Sequence, residues 1–245
     1  RLVGTLYDED ARRKLEWIIG SIVAGDSKRI QKFAVLYGPP GSGKSTVLNI
    51  LELLFQGYTT TFDAGALGSR SDQFSTSSLG KSSLVAIDQD GDLSRIESNG
   101  LLNSAVAHET ILINEKGVKR YPKRINAILF IGTNKPVKIT DSKSGLIRRL
   151  IDISPTGETV PVDEYQTLMT QIKDELGKIA NHCLGVYRSL GRHYYDNYKP
   201  QDMMLKTNVL YNFVEENYLL FKTEEYIPLT MAYKLYKEYC SESTI

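Results

Sequence analysis

The sequence predicts an α/β fold in which a parallel sheet carries a phosphate-binding loop at its centre. Three observations predict it. The apolar run Phe33-Ala-Val-Leu-Tyr37 leads into Gly38-Pro-Pro-Gly-Ser-Gly-Lys-Ser-Thr46, and that loop leads into Val47-Leu-Asn-Ile-Leu-Glu-Leu-Leu-Phe55, so a strand, a G-x-x-x-x-G-K-[ST] loop and a helix follow one another. Two more short apolar runs, Leu84-Val-Ala-Ile87 and Ala127-Ile-Leu-Phe-Ile131, have the length of buried strands. The last third is helical in period: Leu168, Ile172, Leu176, Ile179, Cys183 and Val186 recur at three- and four-residue spacing.

The 245 residues are 41% hydrophobic and 24% charged with a net charge of +1, which excludes a mainly disordered chain and a globally basic nucleic-acid binder. Any nucleic-acid contact must come from a local basic patch. Cys183 and Cys240 lie far apart and form no metal-ligand spacing, which suits a reducing compartment. No apolar run has the roughly 18 residues of a membrane span. The start at Arg1 shows neither a signal peptide nor an initiator methionine, so the chain reads as part of something longer.

In order, residues 1–30 read as a helical lead-in, with Asp8 as N-cap of a helix to Gly20 and Leu15, Ile18 and Ile19 around Trp17. Residues 31–156 form the core. Gln56-Gly57 stops the loop's helix, and Tyr58-Thr-Thr-Thr-Phe62 has the composition of a second strand. Gly65 to Leu79, with Arg70 and Phe74, reads as loop with some helix. Leu84 to Ile87 ends on Asp88, and a helix follows from about Leu93 to His108, interrupted near Asn99-Gly100. Thr110 to Asn114 and Val118 to Ile125, joined by Asn114-Glu-Lys-Gly117, read as a β-hairpin. Ala127 to Ile131 ends at Gly132-Thr133-Asn134, and Gly145-Leu-Ile-Arg148-Arg149 precedes a short strand to Ile153. Residues 157–245 are a helical region, with helices at Leu205 to Leu220 and Thr230 to Tyr239. Its many tyrosines fit packing faces, with base stacking as the alternative.

The chemistry concentrates at the loop. Gly38, Gly41 and Gly43 let the backbone fold its N–H groups around phosphates, and the helix N-terminus adds its dipole, so Gly38, Pro39, Pro40, Gly41, Ser42, Gly43, Lys44, Ser45 and Thr46 are the expected nucleotide contacts. Lys44 would carry an ammonium to the β and γ phosphates of ATP, and Ser45 with Asp88 would hold Mg²⁺ through oxygen ligands and waters. Gln89 follows Asp88 where many such ATPases place a glutamate; it can orient a water but cannot take its proton. Either Asp88 or Asp90 serves as base, or hydrolysis is slow. Asn134, at a strand end, can hold the γ-phosphate or the water, or can simply form a turn. Arg148 and Arg149 can pair with acids or reach a neighbouring subunit's phosphates. In the hairpin, Lys116, Lys119, Arg120, Lys123 and Arg124 crowd nine positions beside Tyr121. That density suits phosphate contacts with a stacking ring, and equally a solvated edge whose charges block aggregation.

With these pieces placed, the chain resembles the superfamily 3 helicases, AAA+ proteins, and within them the helicase part of phage and plasmid primase–helicases. The lead-in Leu15-Glu-Trp-Ile-Ile-Gly-Ser-Ile-Val-Ala-Gly-Asp26, the P-loop, the acid after Leu84 to Ile87, the basic hairpin, Thr133-Asn134-Lys-Pro136, Arg148-Arg149, Phe213-Val-Glu-Glu-Asn217 and Leu235-Tyr-Lys-Glu-Tyr-Cys240 fall in the family's order. The resemblance implies strand order 5-1-4-3-2, a helical cap, ATP with Mg²⁺, and a homo-oligomeric, hexameric ring that pumps single-stranded DNA through a pore lined by the hairpin. It implies Asn134 as sensor 1 and Arg148 or Arg149 as a finger acting in trans, with Arg149 the first choice because Leu150 and Ile151 then enter the sheet. A primase domain would precede Arg1, and the setting would be cytoplasmic, that of the host if the source is viral. Gln89 departs from the family and leaves its base open. Two other classes compete: an AAA+ ATPase that loads or remodels replication proteins, and a small-molecule kinase sharing the P-loop. The kinase would need an arginine-bearing lid, which the later third does not supply.

Overall fold

The computed structural model describes residues 1–69, 75–93, 99–137, 145–206, 210, 213–214, 217–223 and 226–242. The expectations for Arg70 and Phe74, for the start of the helix after Leu93, and for much of Leu205 to Leu220 lie outside those residues. The chain forms two compact units, residues 1–199 and 200–245.

The first unit opens with α1 (Leu2–Leu6) and α2 (Glu9–Val23). Asp8 caps α2 by accepting from the Ala11 amide at 2.8 Å, and the helix runs three residues past its expected end at Gly20. The strands are β1 (Phe33–Tyr37), β2 (Thr59–Thr61), β3 (Val85–Asp88), β4 (Thr110–Ile113), β5 (Tyr121–Arg124), β6 (Ile128–Thr133) and β7 (Leu150–Ile153). Between them lie α3 (Lys44–Leu54), α4 (Ala64–Gly68) and α5 (Gly100–Val106), and after them α6 (Val162–Leu190).

Five strands form one parallel sheet in the order β2-β3-β6-β1-β7. Counted along the sheet strands alone, this is the 5-1-4-3-2 order expected for an AAA+ core. Phe33 to Leu36 of β1 are fully buried, as is nearly all of β6, which explains why both read as unbroken apolar runs. The strand β6 extends through Gly132 and Thr133, two residues beyond the apolar run, because its ladder with β1 continues to the pair Tyr37 and Thr133.

The helix α6 packs along α2 within the first unit. At their crossing the backbones nearly touch: a Cβ on Gly20 would lie 2.1 Å from the Cys183 carbonyl oxygen, so only glycine fits. Trp17 is buried there against Tyr187 and Tyr195, and its indole N–H donates to the Gly191 carbonyl at 2.9 Å. These tyrosines pack as the spacing suggested.

The strands β4 and β5 form a separate antiparallel pair. The second strand is shorter than the sequence suggests, starting at Tyr121 rather than Val118, so residues 114–120 form a long turn whose residues 116–120 are exposed. In the second unit, Phe213 is buried against Phe221, Tyr236 and Tyr239, and a helix spans Leu229–Glu242. Among the described residues no helix is long and apolar enough to cross a membrane.

Candidate functional site

The loop between β1 and α3 sits at the carboxyl edge of the sheet. Its first amide, Gly38, still donates to the Thr133 carbonyl at 3.2 Å. Gly41 and Gly43 then take φ of 77° and 89°, left-handed values that turn the chain into α3. Among the described residues, no backbone carbonyl accepts from the amides of Gly41, Ser42 or Gly43. The Ser42 hydroxyl oxygen is buried without a partner. Lys44 is buried too, and its Nζ donates to Gly38 O at 2.7 Å, Pro39 O at 2.8 Å and Asn134 Oδ1 at 2.7 Å. All three partners are uncharged. Burial lowers the Lys44 pKa, with Asp90 acting at a distance in the opposite sense.

Amides with no carbonyl partner, an orphaned hydroxyl and a cation held by neutral oxygens together make a loop suited to an anion. Ser45 is exposed at the same helix start. Asp88 ends β3 beside Ile131 of β6, and its carboxylate accepts from the amides of Ala64 at 2.7 Å and Asp90 at 3.3 Å. Burial raises its pKa; those two amides oppose the rise, and Asp63 and Asp90 add to it. Gln89 points elsewhere, donating from Nε2 to Asn49 Oδ1 on α3 at 3.0 Å. Lys135 pairs with Asp92 at 2.7 Å, and the Thr133 hydroxyl accepts from the Lys135 amide.

The two arginines lie at the opposite, amino edge. Phe33 and Leu150 pair at the starts of β1 and β7, so Gln31-Lys32 and Arg148-Arg149 approach side by side there. A cavity of about 250 Å³ opens at this edge, lined by cationic Arg29, Lys32, Arg148, Arg149 and Arg192, with His193 and Asp196. The order of the pair differs from the sequence expectation. Arg149 is the inward residue, buried, with Nη1 donating to Asn103 Oδ1 at 3.2 Å and Gly145 O at 3.1 Å; Arg148 is exposed. The short turn Ile147–Arg149 rotates successive side chains to different sides, which the spacing alone did not reveal. Lys32 is buried with Nζ donating to Arg148 O at 2.5 Å; burial pulls its pKa down to about 8, Arg148 and Arg149 push the same way, and Asp196 opposes.

In the hairpin, Lys116, Lys119 and Arg120 are exposed in the turn. Lys123 is drawn back, donating to the Gly80 carbonyl and to Ser82 Oγ, and Arg124 Nε donates to the His108 carbonyl at 2.9 Å. Tyr121 donates to Glu115 at 2.6 Å. Sequence reasoning missed Arg29, Lys32, Arg192 and His108. The cluster Lys28-Arg-Ile-Gln-Lys32 just before β1 was a visible signal for two of them; nothing local marked the others.

A family model described as a family of unknown function (DUF5906) matches residues 36–149. No curated protein matches the sequence. Among solved structures, the apo C-terminal region of NrS-1 in its A form aligns with a TM-score of 0.57 at 18% identity, over 78% of this chain and 50% of that one. Another apo structure of that region aligns with a TM-score of 0.55 at 17% identity, over 97% and 61%. A JCV helicase aligns with a TM-score of 0.36 at 14% identity, over 86% of this chain and 62% of that one. The chain thus spans 50% to 61% of the NrS-1 chains it matches, and at these identities the shared property is the fold.

Proposed function

We propose that this chain is the motor of an ATP-dependent DNA helicase, one that moves on single-stranded DNA as a homo-oligomeric, hexameric ring and belongs to a longer primase–helicase. The observation that carries the reading is the meeting of Lys44 with Asn134 Oδ1 at 2.7 Å beside the loop amides and the buried Ser42 hydroxyl. Gly38 to Thr46 would hold the phosphates of ATP, Ser45 and Asp88 would hold Mg²⁺ through oxygen, and the ion would neutralise charge on the phosphates. Lys44 supplies the cation at the transferring phosphate, and Asn134 positions the γ end. With Gln89 turned to Asn49, the attacking water would be oriented and deprotonated by Asp88, with Asp90 the alternative. Arg148, exposed at the far edge of the sheet, would complete the site of a neighbouring subunit. The exposed cations Lys116, Lys119 and Arg120 supply phosphate contacts for the DNA strand.

The decisive measurement is ATP turnover with and without single-stranded DNA, beside strand separation on a forked duplex. Stimulated turnover and unwinding are expected. An ATPase indifferent to single-stranded DNA and unable to unwind would instead be a loader or remodeller of other proteins, and the helicase reading would fall.

A further inference from the structure

His108 stands where the backbone alone calls for glycine. At the end of α5 the Glu109 amide donates to the Ser104 carbonyl at 3.0 Å and the His108 amide to the Ala105 carbonyl at 3.1 Å, a paired closure that places a left-handed residue just past the helix. That residue is His108, with φ of 56°, the one non-glycine residue with positive φ among the described residues. A β-carbon gains nothing in such a cap, so the reason for the imidazole lies in what its ring touches. The ring is 1% exposed, with Nε2 2.9 Å from the Ile30 carbonyl oxygen and Nδ1 3.1 Å from the Ile125 carbonyl oxygen.

Those two carbonyls belong to different parts of the proposed motor. Ile30 lines the arginine-rich cavity, and Ile125 follows the last residue of β5 at the base of the hairpin. The same segment grips both sides again: Asn103 in α5 accepts from Arg149 in the cavity wall, and Arg124 of β5 donates to the His108 carbonyl. The Ile125 amide also donates to the Glu109 carbonyl at 3.3 Å. Burial lowers the His108 pKa, and the neutral imidazole donates to one of the two carbonyls at a time, so the path from cavity to hairpin runs through the ring's contacts on both sides together with the bonds that residues 103–109 make to Arg149, Arg124 and Ile125.

We propose that His108 is a positioning residue that locks the hairpin base to the cavity wall, so that phosphates in the cavity and single-stranded DNA on the hairpin alter each other's affinity. The proposal rests on the helicase reading, in which the cavity receives a neighbour's triphosphate and the hairpin receives DNA.

The test compares the wild type with His108→Gly and His108→Gln at concentrations where the chain assembles. Glycine suits the cap, so it removes the ring and spares the helix end. Glutamine reaches about as far as Nε2 and can still donate to Ile30. The readouts are oligo(dT) affinity with and without a non-hydrolysable ATP analogue, and analogue affinity with and without oligo(dT). In the wild type each ligand should change the other's affinity by the same factor, about fivefold or more; in His108→Gly each single affinity should stay within about twofold while that factor falls toward one. His108→Gln should recover part of the factor. A glycine variant with wild-type coupling overturns the proposal, and so does a wild type that binds both ligands independently. A wild type that binds neither ligand instead sinks the helicase reading, and this proposal with it. Should the glycine variant not fold, hydrogen exchange on the wild type decides: the analogue alone should change protection at Tyr121 to Ile125, and unchanged protection there overturns the lock.

Discussion

The Nζ of Lys44 lies 2.7 Å from the Oδ1 of Asn134, although ninety positions separate the two residues in sequence. The contact exists because β1 and β6 are neighbours in register, so the loop after Tyr37 and the residue after Thr133 emerge at one edge. A neutral side chain and two carbonyls satisfy the ammonium and leave its charge available to a phosphate. Asn134→Ala should therefore keep nucleotide affinity and lose about 10²-fold in turnover, the scale of one preorganised polar group at a charge-developing site. Lys44→Ala should abolish turnover. Steady-state ATPase with a fluorescent nucleotide titration checks both, and an Asn134→Ala enzyme with normal turnover removes Asn134 from the site.

Asp88 and Gln89 are adjacent but face different surroundings. Asp88→Asn should lose far more rate than Gln89→Ala, because Gln89 is tied to Asn49 on α3. Burial holds the Asp88 pKa above that of an ordinary aspartate, so between the unfolded and folded pKa values the folded chain binds more protons and stability falls as pH rises. At neutral pH the same Asp88→Asn change removes the cost of a buried charge but turns its NH2 toward one of the two amides that the carboxylate accepts from, so the melting temperature should move little while activity vanishes. In the wild type, activity should fall away on acidification at a higher pH than the roughly 3.9 of a free aspartate suggests. If Asp90→Asn is the inactive variant and Asp88→Asn is not, the metal and base roles belong two residues further on.

The sheet was legible because its central strands are buried on both faces and read as unbroken apolar runs, and because the loop motif fixes which strand comes first. The gathering of Lys44, Asp88 and Asn134 at the carboxyl edge was legible for the same reason: each lies at or soon after a strand end. The amino edge was not. Lys32, Arg148 and Arg192 meet only because β1 and β7 pair and because the turn after α6 brings its residues to the cavity, and neither fact has a local signature. The same holds for Arg149, whose inward orientation depends on an acceptor in α5. His108 escaped because a histidine after a helix carries no pattern until its ring partners are known.

The hairpin cations divide into two sets. Lys116, Lys119 and Arg120 project from the turn, whereas Lys123 is held by Gly80 and Ser82. Replacing the three turn residues with alanine should flatten the salt dependence of single-stranded DNA binding by roughly 0.7 for each phosphate no longer neutralised, with ATP binding intact. Lys123→Ala should leave that slope nearly unchanged and loosen the hairpin's anchor, read as faster amide exchange across β4 and β5. A triple variant with unchanged DNA affinity and slope returns the turn to a solvated edge.

Lys32 carries its charge at a cost, since burial and two neighbouring arginines depress its pKa to about 8. The unfolded chain, with a lysine pKa near about 10.4, binds more protons between those values, so stability rises with pH across that window. Lys32→Met should consequently raise the melting temperature most below about pH 8, and the gain over wild type should shrink as pH climbs toward about 10.4. A gain that is constant across this range would mean that packing, not charge, sets the difference.

Arg148 and Arg149 separate a side chain that can reach outward from one that supports the fold. Phosphoryl transfer needs a cation on the equatorial oxygens as charge spreads, and the residues at the P-loop supply cations from one side only. The arginine cavity sits at the other end of β1, a strand of five residues spanning about 17 Å, too far to serve the P-loop of its own chain. In the proposed ring, a neighbour's phosphates would be the ones within its reach. Arg149→Ala would break bonds to Asn103 and Gly145 and should cost about 1–3 kcal/mol of stability, visible as a lowered melting temperature. Arg148→Ala should melt like the wild type, bind ATP and turn it over poorly. Mixing Arg148→Ala with Lys44→Ala subunits, each inactive alone, should restore some ATPase, because a mixed ring contains interfaces with both an intact loop and an intact arginine. If the subunits exchange, both variants assemble and no activity returns, Arg148 does not act in trans.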